Sequence, residues 1–69
     1  MTDAKRFRSV MALNGQNQND VAELLGITPV SVSRKLNGES HFTQDEIMKL
    51  ASAWELTGEL MVDIFFKEQ

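Results

Sequence analysis

Val30, Ser33, Arg34 and Asn37 share one side of a helix at about 100° per residue, and Val32 and Leu36 lie roughly opposite them. An arginine guanidinium is a planar fork of donors that fits guanine O6 and N7 together, worth about 1 to 3 kcal/mol of discrimination against a wrong base. A serine hydroxyl bonds almost any base edge, and a valine touches the methyl group of thymine. Such a set suits a helix laid in the major groove of double-stranded DNA. Ser31 and Lys35 fall on the flank of the same helix, where a lysine adds a salt-sensitive phosphate contact. Val32 and Leu36, four residues apart, would anchor the helix in a core.

The flanking residues mark the elements that must hold this edge. Thr28 is placed to cap the helix by accepting a backbone N–H, and Pro29 sits at the first helical position, where its missing N–H is no loss. Asn37-Gly38 ends it. Before it, Gly26 supplies a sharp turn, since without a Cβ it adopts positive φ at no steric cost. Helix 2 is expected over Gln18 to Leu25, capped by Asn17, with Asp20 complementing the helix dipole and Ala22 small where two helices cross. A first helix over about Asp3 to Asn14 carries Phe7, Val10, Met11 and Leu13 toward one face and stops at Gly15. Thr43-Gln44-Asp45-Glu46 has the form of a capping box, opening a fourth helix with Ile47, Leu50, Ala51 and Trp54 as its core stripe. A fifth, capped by Thr57, carries Leu60, Met61, Ile64 and Phe65 on one face. No strand, repeat or linker is visible.

Gln18, Val21-Ala22, Leu25-Gly26-Ile27, Val32 and Leu36-Asn37-Gly38 match without a gap the Q-x-x-V-A-x-x-L-G-I…V-x-x-x-L-N-G pattern of the phage repressor and Cro family, also called XRE, and the chain resembles that family. The likeness is close over the central third and loose over the rest. It implies a compact, all-α, five-helix lambda-repressor-like DNA-binding domain spanning residues 1–69, with helices 2 and 3 as the helix-turn-helix. It also implies that Gln18 and Asn37 grip phosphates, with backbone N–H groups at the Gln18 end assisting. The expected base-reading set is Thr28, Pro29, Val30, Ser33 and Arg34; the expected phosphate set is Asn17, Gln18, Ser31, Lys35 and Asn37. One position departs from the pattern. The family often has glutamine where Pro29 stands, so adenine readout by that side chain is lost and modest specificity per half-site is expected.

Composition bounds the remaining possibilities. At 69 residues the chain is one domain, burying about 60% of the surface its unfolded form exposes. With no cysteine, neither a disulfide framework nor a thiolate metal site is available, and an intracellular, cytoplasmic setting in a bacterial host is expected. No apolar run approaches the roughly 18 residues of a membrane span, and the N-terminus lacks a signal-peptide stretch. The net charge of −3 runs against the basic footprint of most nucleic-acid binders, but it is polarised. Residues 1–38 hold five bases against three acids, whereas residues 39–69 hold two against seven. Lys5, Arg6 and Arg8 either extend a positive rim or form a solvated face. His41 stands alone in a loop, Asp45 and Glu46 are explained by capping, and Ser31 and Ser33 have no adjacent base, so no catalysis, metal, cofactor or small-molecule substrate is expected.

Helix 5 is more apolar than one buried face requires, which makes Met61, Val62, Phe65 and Phe66 candidates for an association surface. A homodimer would set two recognition helices roughly 34 Å apart on a pseudo-palindromic operator. Alternatively the C-terminal tail folds back and buries these residues. A rival function uses the same surface. A Cro-like chain with an acidic C-terminal half could bind a phage repressor protein, as small modulators of repression do, with Glu55, Glu59 and Asp63 facing the repressor's basic surface.

Overall fold

Among the described residues, each α-helix begins where a side-chain oxygen takes up a backbone N–H that the helix itself leaves unpaired. A computed structural model describes residues 2–66. Within it Asp3 caps α1 (Ala4–Leu13), Asn17 caps α2 (Gln18–Leu25), Thr28 caps α3 (Pro29–Leu36), Thr43 caps α4 (Gln44–Ala53) and Thr57 caps α5 (Gly58–Met61). The box expected at Thr43 and Glu46 forms, and a second closes α2: Asp20 accepts the Asn17 N–H at 2.9 Å while Asn17 accepts the Asp20 N–H at 2.9 Å. The five helices, without strands among the described residues, give the all-α domain expected.

The first four helices end alike. Gln16, Ile27, Glu39 and Leu56 each donate a backbone N–H to the carbonyl five residues back, on Met11, Ala22, Arg34 and Ala51, at 2.9–3.0 Å. This Schellman arrangement requires a left-handed residue just before the donor. Gly15, Gly26 and Gly38 fill that place in three cases, and Glu55, with φ of +50°, in the fourth.

Phe7 lies at the centre of the core. Its ring stacks on Phe42 at 5.3 Å and meets Trp54 and Phe65 edge-on at 5.1 and 6.1 Å, so α1, the α3–α4 loop, the end of α4 and the C-terminal segment converge on one aromatic cluster. The indole N–H of Trp54 donates to Gln16 Oε1 at 2.6 Å, satisfying the one polar atom of a buried tryptophan. Against this cluster pack Val21, Ala22 and Leu25 of α2, Val32 and Leu36 of α3, and Ile47 and Leu50 of α4.

Three sequence expectations change. Leu13 is 85% exposed, because it falls off the line joining Phe7 and Met11, which are one helical turn apart. The last helix is α-helical for a single turn and continues as a π-helical turn, Val62–Phe66. The wider turn buries the adjacent Ile64 and Phe65 together, leaves Leu60 partly exposed, and presents the Ile64 carbonyl to the Asp3 N–H at 2.6 Å. Phe65 is therefore core and unavailable to a partner. The alternative of a folded-back tail concerns Lys67 to Gln69, which lie outside the described residues. Among the described residues, no helix is long and apolar enough to cross a membrane.

Candidate nucleic-acid interface

The turn between α2 and α3 is built from local chemistry. Gly26, at φ of +71°, reverses the chain, Ile27 tucks against the core, and the Thr28 hydroxyl accepts the Ser31 N–H at 3.1 Å to start α3. Ala22 is buried, its lone methyl letting α2 lie close to its neighbours. Val32 and Leu36 fix α3 from beneath, both buried. With those two inward, the opposite edge is set: Val30 is 60% exposed, Arg34 and Asn37 are exposed, and Ser33 is half-buried beside them. Thr28 and Pro29 are exposed at the start of the same edge, and Ser31 is half-buried on its flank. No carboxylate among the described residues pairs with Arg34, so its guanidinium keeps its donors.

Lys35, half-buried on the flank of α3, has partners within the fold. Its Nζ lies 3.0 Å from Glu46 Oε1 and donates to the His41 carbonyl at 2.9 Å, with the Phe42 ring centroid 5.7 Å away. The ammonium thus lies in the α3–α4 junction. Glu46 is correspondingly perturbed. Burial raises the pKa of its carboxyl, but the Thr43 backbone N–H and the Lys35 ammonium outweigh that and hold it below the usual 4.5. This junction was missed in the sequence because Lys35 and Glu46 are joined by a loop, beyond the reach of any helical period. The aromatic Phe42 beside His41 was its one outward sign.

At the start of α2, Asn17, Gln18 and Asn19 border a shallow open depression together with Met11. Asn17 Oδ1 is used in the cap, and its amide N–H groups remain donors. Asn37 caps the far end of α3 and is exposed. On α1, Arg6 pairs with Asp3 at 3.5 Å, while Lys5 and Arg8 are exposed. Of the C-terminal candidates, Met61 is half-buried against the core, and Val62 and Phe66 are 52% and 56% exposed. No group of three or more His, Cys, Asp or Glu side chains among the described residues is placed to hold a metal ion.

The arrangement is a short helix with a buried apolar seam, presented across a glycine turn by a capped partner helix. The family model of the Cro/C1-type HTH DNA-binding domain matches residues 6–65, from the first turn of α1 into the C-terminal π-helical turn. No curated protein and no solved structure matches the chain significantly. On the span of that match and the geometry of α2 and α3, the chain belongs to the Cro/C1-type helix-turn-helix family of DNA-binding regulators.

Proposed function

We propose that this protein is a Cro-like transcriptional regulator that lays α3 in the major groove of operator DNA and acts by occupancy, excluding polymerase or a competing repressor. The observation that carries the reading is the exposed edge of α3, with Val30, Ser33, Arg34 and Asn37 facing away from the buried Val32 and Leu36. In this reading Arg34 takes guanine, Ser33 an adjacent base edge, and Val30 a thymine methyl, with Thr28 and Pro29 at the rim. Asn17, Gln18, Ser31 and Asn37 hold phosphates on either side. A single edge with one arginine reads few base pairs, so two copies on a pseudo-palindrome supply the rest.

A second reading is favoured by one feature, the exposed Met48, Leu60, Val62 and Phe66 on an acidic half of the chain. In it, the protein acts by gripping a repressor rather than DNA. A gel shift of the isolated protein on its own promoter region, at two salt concentrations, separates them. Salt-sensitive binding to a discrete palindrome supports the operator reading; binding that appears only when a repressor is added supports the second.

A further inference from the structure

The Lys35 ammonium bridges three parts of the fold. It reaches from the last turn of α3 to Glu46 in the first turn of α4 and to the His41 carbonyl between them. The Glu46 oxygen it meets also accepts the Thr43 N–H at 2.8 Å. A single carboxylate oxygen thus closes the capping box of α4 and holds the end of α3. Both side chains are only 12% exposed, so salt screens this pair less than a surface pair, and taking away one partner strands the other's charge. Lys35 itself stands in the last turn of α3, where the helix dipole favours a cation.

We propose that Lys35 and Glu46 form a latch fixing the C-terminal end of α3 to α4, which makes Lys35 a positioning residue for DNA reading and not a phosphate ligand. The proposal rests on the reading in which α3 enters the major groove. The Gly26 turn holds the front of α3 and the latch holds its rear, so together they set the tilt at which Val30, Ser33 and Arg34 meet base edges. Base contacts tolerate only about 0.5 Å of misplacement. Releasing the rear loosens every base contact at once without removing a phosphate contact.

The two roles for Lys35 give opposite outcomes for Glu46→Gln. Glutamine keeps the capping-box acceptor and removes only the charge. With the latch, Glu46→Gln and Lys35→Met each weaken binding about tenfold, or about 1.4 kcal/mol, to a duplex enriched from a random library by the parent protein. The double variant is then no worse than either single one, Lys35→Arg restores most of the affinity, and the salt slope stays at the parent value. A phosphate-binding Lys35 would instead be freed by Glu46→Gln, which would bind as well or better, while Lys35→Met would flatten the salt slope by about one unit. That pattern overturns the proposal.

Amide exchange in the free protein reads the latch without DNA. The Glu39 N–H, bonded to the Arg34 carbonyl at the end of α3, should exchange faster in Glu46→Gln and Lys35→Met, while Leu50 in the core stays protected. Unchanged exchange at Glu39 overturns the latch. If exchange rises but no form, parent included, enriches any duplex, the groove reading falls and the latch stands. Should Lys35→Met fail to fold, Glu46→Gln and Lys35→Arg carry the same comparison.

Discussion

Arg34 and Lys35 adjoin in the chain and carry the same charge, yet one helical step turns the first to solvent and the second toward the start of α4. That division gives Arg34 the stronger claim to base reading. Arg34→Ala is expected to relax base preference at one operator position by about 1 to 3 kcal/mol, measured by competition with duplexes changed one base pair at a time. A loss spread evenly over all sequences would place Arg34 on phosphate instead. Glu46 governs a different property. Its folded-state pKa is depressed, so the folded protein binds fewer protons than the unfolded chain as pH falls past the usual 4.5. The stability it contributes is therefore complete above that value and lost as pH drops through the lower, folded value. Denaturant melts at successive pH values should show Glu46→Gln with a shallower acid loss than the parent; parallel curves would mean the pair contributes nothing through charge.

Among the elements, the Schellman ends of α1 to α4 invite a direct test, because three are closed by glycine and the fourth by Glu55 at φ of +50°. A side chain held in the left-handed region costs roughly 1 to 2 kcal/mol, partly offset by the greater freedom glycine has in the unfolded chain. Glu55→Gly should thus raise stability by about 0.5 to 1 kcal/mol, a gain of a few degrees in melting temperature for a domain this small; a lower melting temperature would show that the Glu55 side chain makes a compensating contact. The same ends explain which elements the sequence revealed. Caps and glycine turns are local signals, so the bounds of α2 and the start of α3 could be read from Asn17, Gly26, Thr28 and Pro29 alone. The exposed edge of α3 followed, since Val32 and Leu36 fix which side faces out. Phe42 carried no periodic signal because it lies in a loop, and its burial against Phe7 depends on helices far away in sequence. The π-helical turn at Val62–Phe66 was hidden for the same reason: the bond from Asp3 to Ile64 joins the two ends of the chain.

For the molecule as a whole, charge and apolar surface act on separate equilibria. The base-rich half carries α3, while the acid-rich half carries Met48 and Phe66, which line one groove with Phe42 and Ile47 beneath them. Were two copies to associate through the exposed Val62 and Phe66, their acidic halves would repel at low ionic strength, and salt would weaken that repulsion once charges lie beyond about 8 Å. Apolar contact itself is not screened. Operator binding, as proposed, would respond the other way, because counterions released from phosphates oppose it as salt rises. Added salt should therefore strengthen self-association in sedimentation runs while weakening the gel shift of the same sample. Phe66→Glu should abolish the first effect and leave the fold nearly intact, as surface substitutions alter stability by about 0.5 kcal/mol or less. A parent protein that stays monomeric at every salt concentration, and protects a single half-site in footprinting, would remove the C-terminal surface from operator recognition and leave it to a different partner.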